Sequence, residues 1–507
     1  MTALTDATTN AATDDSDVAP AALQQRSDPD HLARETLRLL GPAPDNWVPD
    51  HPGIDHNVAI IGGGQSGSAY AFALRRAGIG RVTVLDAAPD GARAGVWRNR
   101  ARMHKLRTLK SLVGPELGLP TLGFQAWYES RHGAEAYAAI DRIPRVVWAD
   151  YLDWYRDFLD IDVRYGVRVL RIEPVADGAT LHFRLHLNDQ GETRIETARK
   201  IILANGVAGN GAPFVPAVLA KAQAAGLVAH TADAIDVDAL RGKTVAVLGA
   251  AASAFDAAAV ALDAGAAAVH LFARRDHIAA TPVIKARAYP GIYDNYLSLP
   301  DALRWEQALR YRRAGSTPPA DSVARVLAFA NFHLHLNADW QAAEVRSGQL
   351  IAQVHGETLP FDFAIAGTGY VVDPAARPEL ADIAPHILRW RDRYQPADDA
   401  RDDELGASPY LGTGLEYLEK IPGSAPWLRN VHVHNPGGFA SVGVPLGDVP
   451  CMRRDIPATV ARISQDLVLA DLAQHEQRIR AHVPPDFGEA LYGAALWKRA
   501  DAALAAD

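Results

Sequence analysis

Residues 56–86 read HNVAIIGGGQSGSAYAFALRRAGIGRVTVLD, and this stretch decides the fold of the chain. An apolar run precedes a glycine-rich turn, a helix of small residues follows it, and a second β-rich run ends at Asp86. Residues 62–67 fit the spacing G-x-G-x-x-G. In that pattern the first glycine allows a tight turn, the second lets a pyrophosphate approach, and the third lets helix and strand pack closely. The stretch therefore predicts a βαβ unit that binds a dinucleotide at a helix N-terminus.

The acidic residue at the end of the second run indicates which dinucleotide this turn binds. Asp86 is well placed for the hydroxyls of a ribose, and a carboxylate there would repel the 2′-phosphate of NADPH. We therefore expect FAD or NAD. A glycine-rich turn without a ligand is disfavoured, because strand, turn and helix are all present. The residues predicted to contact this cofactor are Gly62, Gly64, Gln65, Ser66, Gly67, Asp86 and Ala87.

A second pattern of strand, turn, helix and strand occupies residues 243–275, which read KTVAVLGAAASAFDAAAVALDAGAAAVHLFARR. Alanine 251 stands where the second glycine belongs, and alanine is an accepted variant at the third position. The second run ends in two arginines, which pair bidentately with phosphate, so this turn predicts NADPH. The alternative is a structural copy of the fold with a surface arginine pair, because the Ala251 methyl group crowds the turn. The predicted contacts are Gly249, Ala251, Ser253, Ala254, Arg274 and Arg275.

The composition of the chain excludes several classes of protein. It has 507 residues, a formal net charge of −9, 48% hydrophobic residues and 22% charged residues. This balance does not favour nucleic acid or an anionic membrane as partner, and no membrane span or secretory signal is expected. Cys451 is the one cysteine, so a disulfide framework, a four-cysteine zinc site and a dithiol flavin reductase are excluded. We expect a reducing compartment, the cytoplasm.

Histidine pairs at residues 432–434 and 333–335 lack a third ligand nearby in the sequence, so no metal is expected. The fold class predicted is α/β, with two Rossmann-like dinucleotide-binding domains. Residues 1–28 are predicted to be a disordered tail, residues 29–240 and 360–507 a discontinuous FAD-binding domain, and residues 241–359 the NADPH-binding domain. Helices are expected at 29–40, at 145–160 with an apolar face, and from about 453 to 470.

One FAD site and one NADPH site, without redox cysteines, limit the chemistry of the chain. Hydride passes from nicotinamide to flavin, and molecular oxygen is the expected acceptor of electrons from the reduced flavin. The partners expected are therefore a small-molecule substrate and oxygen, with a homo-oligomer left open.

The sequence resembles the class B flavoprotein monooxygenases, which include N-hydroxylating, flavin-containing and Baeyer–Villiger enzymes. The resemblance rests on residues 62–67, the Gly95-Val96-Trp97 segment, the degenerate second turn with its two arginines, and residues 367–370. It implies that reduced FAD forms a C4a-(hydro)peroxyflavin, shielded by bound NADP⁺, which inserts one oxygen atom into the substrate.

The resemblance also implies roles for individual residues. Catalytic roles are expected for Arg274, Lys110 and Met103. Further cofactor contacts are expected at Gly95, Trp97, Met103, His104, Val169, Gly206, Gly369, Tyr370, Ser441 and Val442.

Within the family, residues 102–113 and 274–299 look like those of the N-hydroxylating members, so N-oxygenation of an amine is the first expectation. Baeyer–Villiger or sulfur oxygenation is the alternative. The Baeyer–Villiger fingerprint is incomplete around His230, yet Arg274 matches the position of the arginine that those enzymes place beside the flavin. A further alternative is a non-catalytic scaffold or redox sensor that binds FAD and NADPH, which the methyl group of Ala251 keeps open.

Overall fold

The computed structural model describes residues 28–497, apart from 92–94, 177 and 179. The predicted disordered tail lies outside the described residues, except for its last residue. The strands are β1 (His56–Ile61), β2 (Val82–Asp86), β3 (Val163–Tyr165), β4 (Val167–Val175), β5 (His182–Asp189), β6 (Glu192–Leu203), β7 (Gly211–Pro213), β8 (Val228–His230), β9 (Thr244–Leu248), β10 (Ala268–Phe272), β11 (Phe332–His335), β12 (Trp340–Arg346), β13 (Gln349–Val354), β14 (Glu357–Phe361), β15 (Phe363–Ala366), β16 (Tyr370–Val372) and β17 (Val431–Val433).

The helices are α1 (Pro29–Leu40), α2 (Gln65–Arg76), α3 (Phe124–His132), α4 (Ala134–Ala139), α5 (Arg145–Phe158), α6 (Ala220–Ala224), α7 (Ala252–Asp263), α8 (Pro290–Tyr293), α9 (Asp301–Ala314), α10 (Ala320–Leu327), α11 (Trp390–Arg393), α12 (Asp403–Ala407), α13 (Phe439–Val442), α14 (Val449–Ala470) and α15 (Leu472–Ile479). In the described part of the chain, none of these helices has the length and apolar character needed to cross a membrane.

The first sheet carries the first nucleotide turn. Its strand order is β3-β2-β1-β6-β5-β4, and β17 pairs with β6 at the same level as β1. Strands β3, β2, β1 and β6 run parallel, whereas β6, β5 and β4 form an antiparallel meander. Strand β1 is a continuous apolar run because both of its faces are covered. The parallel half places the ends of β1, β2 and β6 at one edge, where the turn lies.

The second sheet carries the second nucleotide turn. It is fully parallel, in the order β11-β10-β9-β15-β8, and the antiparallel strands β12, β13 and β14 form a separate small sheet. Since β8 and β15 belong to this sheet, it reaches beyond residues 241–359 at both ends. The predicted assignment of FAD to the first unit and NADPH to the second stays a proposal, with β8 and β15 added to the second unit.

The chain crosses between the two units twice, and the crossings lie side by side. Strand β7 precedes the first crossing and β16 follows the second, and the two pair antiparallel, with Tyr370 opposite Pro213. Side-chain contacts also join the units. Arg102 donates to the carbonyl oxygens of Thr231 at 2.7 Å and Asp233 at 2.9 Å. Arg107 pairs with Asp256 on α7 at 3.3 Å.

Helix α5 has the apolar face that its periodicity predicts. It packs its buried aromatic side chains into a cluster with α3, in which Tyr151 is fully enclosed. Helix α1 is also as predicted, with the Asp28 carboxylate accepting from the Asp30 N–H at 2.9 Å. Helix α14 begins earlier than residue 453, at Val449, because Pro450 fits the first turn of a helix rather than ending one.

Candidate functional site

The first turn has the geometry that its glycines predict. Gly62 has φ of 111°, and a Cβ there would lie 2.2 Å from the carbonyl oxygen of Ala204 on the neighbouring strand end. A Cβ on Gly67 would lie 1.9 Å from the Gly62 carbonyl oxygen, so helix α2 packs directly on the turn. Neither position accepts a side chain.

Gly64 differs from these two glycines because the protein around it is open. It stands at the N-cap of α2 with extended backbone (φ −71°, ψ −166°), and the nearest atom to a built Cβ is Gly95 Cα at 3.8 Å. The protein itself therefore gives no packing reason for glycine. A pyrophosphate on the helix N-terminus supplies one, since a Cβ would fill the space that the phosphates need. The turn fits a dinucleotide.

The second turn has a backbone conformation similar to that of the first. Gly249 has φ of 118°, and a Cβ there would lie 2.2 Å from the Gly367 carbonyl oxygen. Ala251 takes the N-cap of α7 with φ −90° and ψ 177°, matching Gly64 in backbone conformation. Because any residue can adopt this extended conformation, the Ala251 methyl group causes no backbone strain. Its effect would be limited to how closely a ligand can approach the turn.

Asp86 lies where the ribose argument puts it and is held firmly. Its carboxylate accepts hydrogen bonds from the backbone N–H groups of Gly63 and Ala88, both at 2.7 Å. The side chain is half-buried, and Ala87 beside it is exposed. The carboxylate therefore closes the first turn and keeps an open side toward the position of a ribose.

The structure brings four predicted residues of the first site together around one small cleft. Gly64 and Gln65 line one wall, and Gly95 and Trp97 line another. The backbone carbonyl oxygen of Trp97 accepts from the Arg145 guanidinium at the start of α5, which fixes this loop against the helix. The sequence spacing from the turn to Trp97 thus corresponds to a real wall of the site.

A larger cavity of about 450 Å³ lies beside this cleft. Gln65 stands between the two, since its amide oxygen accepts from the indole N–H of Trp148 at 3.1 Å and its amide nitrogen donates to Gly447 O at 2.7 Å. Trp148 and Val449 line the larger cavity, together with residues 106–126 in part. Gln65 therefore ties the first turn to the start of α14.

Asp448, which the sequence did not indicate, lies next to the contact between α14 and the first turn. It is the N-cap residue of α14, exposed to water although protein surrounds it, and it directly follows Gly447, which binds Gln65. Burial raises the pKa of Asp448 to about 6, against the opposing effect of Arg107. The signal that could have indicated it is its place before Pro450 at the start of a long helix.

Lys110 lines the larger cavity, but its ammonium group has partners in the protein. It donates to the carbonyl oxygens of Tyr137 and Ile140, each at 2.6 Å, at the C-terminal end of α4. It also lies 4.4 Å from the centroid of the Tyr137 ring. The predicted catalytic role of Lys110 stays a prediction, and a substrate would have to compete with these carbonyl groups.

Met103 and His104 are not among the residues that line this cavity. The Met103 side chain is half-buried, the His104 side chain is exposed, and their carbonyl oxygens accept from the Arg145 side chain and backbone N–H, both at 3.0 Å. Their proposed contacts with the flavin remain predictions.

The two arginines of the second site have different surroundings. Arg275 donates to the carbonyl oxygens of Ala314 at 2.9 Å and Arg312 at 3.3 Å, and so caps the end of α9. Arg274 is exposed, and within the described residues its guanidinium has no hydrogen bond or ion pair. Ser253 is exposed in the first turn of α7, and Ala254 is buried beneath it. Arg274 is therefore the guanidinium free to meet a 2′-phosphate.

Two glycines occupy matching places after the strands next to each turn. Gly206 follows β6 and Gly369 follows β15, both with left-handed backbone, at φ of 80° and 83°, and both exposed. The Gly369 carbonyl oxygen accepts from His230, whose ring meets Tyr370 edge-on at 5.2 Å. Burial lowers the pKa of His230 and raises that of Tyr370. These residues border the junction of the units.

The remaining predicted contacts are buried among protein groups. The Ser441 hydroxyl donates to Pro409 O at 3.0 Å and accepts from Leu411 N at 3.0 Å, and Val442 is fully enclosed. Val169, in the meander, packs partly against the same core. Contacts from Ser441 and Val442 to a cofactor would have to come from their backbone atoms.

The comparisons with known proteins agree with this geometry. The family model described as FAD-NAD(P)-binding matches residues 59–208, and the model of L-lysine 6-monooxygenase/L-ornithine 5-monooxygenase matches residues 136–326. The FAD-dependent urate hydroxylase of Xanthomonas campestris pv. campestris is 38% identical over 445 residues, which cover 87% of this chain and 93% of that protein.

Solved structures of N-hydroxylating enzymes share the fold. Ornithine hydroxylase from Pseudomonas aeruginosa superposes with a TM-score of 0.63 at 18% identity, over 81% of this chain and 99% of its own. L-lysine 6-monooxygenase from Pseudomonas syringae gives a TM-score of 0.61 at 18% identity, over 82% and 99%. At 18% sequence identity, these similarities show a shared fold and nothing about substrate.

The fold, the two turns and these relatives define the class of protein, a flavin-dependent monooxygenase with FAD and NADPH as cofactors. More narrowly, the chain belongs to the family of flavoprotein monooxygenases that contains the FAD-dependent urate hydroxylase of Xanthomonas campestris. The predicted resemblance, fold class, cofactors and enzyme class are thereby confirmed. The described residues hold no group of three metal-ligating side chains.

Proposed function

We propose that this enzyme hydroxylates urate, with NADPH as reductant and molecular oxygen as oxidant. The observation that carries the proposal is the 38% identity to a urate hydroxylase across 87% of the chain, since it covers both nucleotide units and everything between them. In the balanced reaction, NADPH supplies two electrons, one oxygen atom forms a bond to urate, and the other leaves as water with a proton from solvent.

The first unit is proposed to hold FAD. The N-terminus of α2 and Gly64 would receive the pyrophosphate, and the Asp86 carboxylate would face the ribose. When bound, FAD accepts hydride from the nicotinamide and passes electrons to oxygen. Gln65 holds the start of α14 against the first turn.

The second unit is proposed to hold NADPH at the N-terminus of α7. Arg274 would bind the 2′-phosphate, and the capped Arg275 would keep that loop in place. The Ala251 methyl group would hold the pyrophosphate slightly farther from the turn than glycine would. The arginine contacts Arg102 to Thr231 and Arg107 to Asp256 keep the two units facing each other.

A second candidate is N-oxygenation of an amine, which was the first expectation from the sequence. The observation that favours it is Glu116, a buried carboxyl group on the wall of the 450 Å³ cavity. Burial raises the pKa of Glu116, and in the described part of the chain its carboxylate has no cationic partner. A cationic amine substrate would supply one.

Measured turnover separates the two candidates. FAD-loaded enzyme is incubated with NADPH and oxygen, and NADPH oxidation, oxygen uptake and product mass are followed with urate, lysine and ornithine in parallel. Urate hydroxylation requires stimulated NADPH oxidation and a product one oxygen atom heavier. Stimulation by an amine alone would replace the proposal with the second candidate, and stimulation by neither would leave an NADPH oxidase.

The single cysteine and the dependence on NADPH support a reducing compartment, and we propose the cytoplasm as the location. Assembly into a homo-oligomer stays a prediction, which sedimentation of the holoenzyme would test.

A further inference from the structure

Glu116 is a buried acid in the wall of a cavity. Only 7% of its surface is exposed, and it lines the cavity of about 450 Å³ beside the first turn. Its Oε1 atom accepts from the Gly114 N–H at 2.9 Å, whereas no other residue in the described part of the chain bonds its Oε2 atom. Because a buried polar atom without a partner is unfavourable, Oε2 is the atom of this wall that is available to a ligand.

The cavity has the size and lining of a small-molecule site. Its volume lies within the range of about 300–1,000 Å³ that such sites usually have. The rings of Phe124 and Trp148 form part of its wall, with centroids 5.9 Å apart. Leu109 and Leu112 also line it and are exposed, so the cavity opens to solvent on that side. A planar ligand can enter there and lie against the aromatic wall.

The Glu116 carboxyl lies close to the elements that carry the first turn. The three atoms nearest to a Cβ built on Gly114 are Glu116 Oε2 at 3.2 Å, Val449 Cγ1 at 3.2 Å and Trp148 Cη2 at 3.4 Å. Val449 is the first residue of α14. The Trp148 indole N–H donates to Gln65, which lines the cleft at the first turn. Two hydrogen-bonded side chains thus connect this part of the cavity wall with the cleft.

The surroundings of Glu116 favour its neutral form. Burial raises the pKa of Glu116, although a backbone N–H opposes the shift. The titratable groups near it are the phenols of Tyr151 and Tyr155 on α5, whose pKa values are raised by burial and by the Glu116 charge. Lys110 and Glu129 line the same cavity, and the Lys110 ammonium is bound by backbone carbonyl groups. A protonated carboxyl offers an O–H donor to a ligand, and an anionic ligand would favour that form further.

We propose that Glu116 determines substrate specificity by donating a hydrogen bond from its protonated carboxyl group to a carbonyl oxygen of urate, with the urate ring against Trp148. This inference rests on the proposed function. Urate is a planar anion at neutral pH and carries carbonyl oxygens at its edge, so it accepts this bond and disfavours an ionised carboxylate beside it. Since Oε1 accepts from a backbone N–H, the proton lies on Oε2, near the Trp148 ring.

Proton uptake is the measurable sign of this contact. Above its pKa the Glu116 carboxyl of the urate-free enzyme is ionised, so urate binding takes up one proton, and urate affinity falls by up to about tenfold for each pH unit. A cationic amine would instead bind the ionised carboxylate and take up no proton. The charge state of Glu116 therefore distinguishes the two candidate substrates.

The test uses the FAD-loaded enzyme with the variants Glu116→Gln and Glu116→Met. Urate binding is measured by isothermal titration calorimetry at pH 7.0 and pH 8.5, in buffers of different ionisation enthalpy, which gives the number of protons taken up. The matched control is Glu135→Gln, which removes a carboxylate from an exposed position on α4. We expect wild type and control to take up about one proton per urate at pH 8.5, and to bind urate more weakly there than at pH 7.0.

The two variants separate the hydrogen bond from the charge. Glu116→Gln keeps a donor and the shape of the side chain, so we expect it to bind urate at both pH values without proton uptake. Glu116→Met removes the donor, so we expect about tenfold weaker binding at pH 7.0. Equal loss of binding in both variants, or proton uptake that persists in Glu116→Gln, would overturn the inference. Lower melting temperatures with unchanged urate affinity in both would make Glu116 a structural residue and overturn it as well.

The outcomes separate this inference from the proposed function. Urate hydroxylation with the same urate affinity and proton uptake in all variants overturns the role of Glu116 and leaves the function standing. Proton-linked urate binding that depends on Glu116, without a hydroxylated product, supports the contact and overturns urate hydroxylation. Absence of urate binding to the wild-type enzyme overturns both.

Discussion

The open space at Gly64 leads to a prediction about the Gly64→Ala variant. The backbone there is extended and a built Cβ has no contact closer than 3.8 Å, so the protein alone accepts a methyl group. We expect the apoprotein to lose at most about 1 kcal/mol, the size of an N-cap effect. The methyl group would instead separate the pyrophosphate from the helix N-terminus. A charge-assisted hydrogen bond lost in this way is worth about 1.5–3 kcal/mol, which corresponds to FAD binding weakened roughly 10- to 150-fold.

The assay is a titration of apoprotein with FAD, followed by the quenching of flavin fluorescence, with a thermal melt of each apoprotein. Gly488→Ala is the matched control, because that glycine has similar extended backbone (φ −103°, ψ 175°) and open space around it. Gly67→Ala is the opposite control. Its Cβ would lie 1.9 Å from the Gly62 carbonyl oxygen, so the melting temperature of the apoprotein should fall. An unchanged FAD affinity in well-folded Gly64→Ala would refute the placement of the pyrophosphate.

The second turn and the buried histidines lead to four other predictions. Ala251→Gly should lower the Kd for NADPH several-fold, as measured by titration, because the ligand can then approach the turn; no change would mean that the phosphates lie elsewhere. Arg274→Ser should weaken NADPH binding about 10- to 100-fold and leave NADH binding unchanged, as a lost charge-assisted contact predicts. Arg275→Ser should affect the two nucleotides alike, since its side chain caps a helix, and equal effects of both variants would contradict this division. Burial lowers the pKa of His432 and His434 to about 3, so the unfolded chain binds more protons below pH 6.5. The unfolding free energy should therefore fall by about 1 kcal/mol per histidine between pH 6.5 and pH 5.5, and urea denaturation of His434→Gln at the same pH values should show a shallower dependence on pH.

The sequence predicts the two turns well because their geometry is local. Gly62 and Gly67 are required by atoms of their own strand, turn and helix, and of the strand next to them. The conformation of Ala251 is also predictable from the sequence, because extended backbone at a helix N-cap does not depend on distant parts of the chain. The contact of Gly62 with Ala204 joins residues far apart in the sequence, but the glycine spacing within the short stretch is enough to indicate the turn.

The rest of the site depends on contacts that no local pattern shows. Gly447 binds Gln65 from the far end of the chain, and this contact brings the start of α14 to the first turn. Lys110 shows the reverse case. Its place in the sequence indicates the substrate region, yet long-range folding gives its ammonium group three backbone carbonyl oxygens. The hydrogen-bond partners of such a side chain depend on the tertiary structure and cannot be predicted from a local sequence pattern.

Strands β7 and β16 pair where the outgoing and returning chains cross between the two units. Because the two crossings are hydrogen-bonded side by side, we expect any movement of the second unit to be a rotation about that narrow ribbon, which would stretch neither crossing. The glycines with left-handed backbone at residues 206 and 369 lie close to both ends of the ribbon. A swing there would carry the nicotinamide toward or away from the flavin while both cradles kept their shape, so the timing of hydride delivery would be set at a joint that touches no reacting atom.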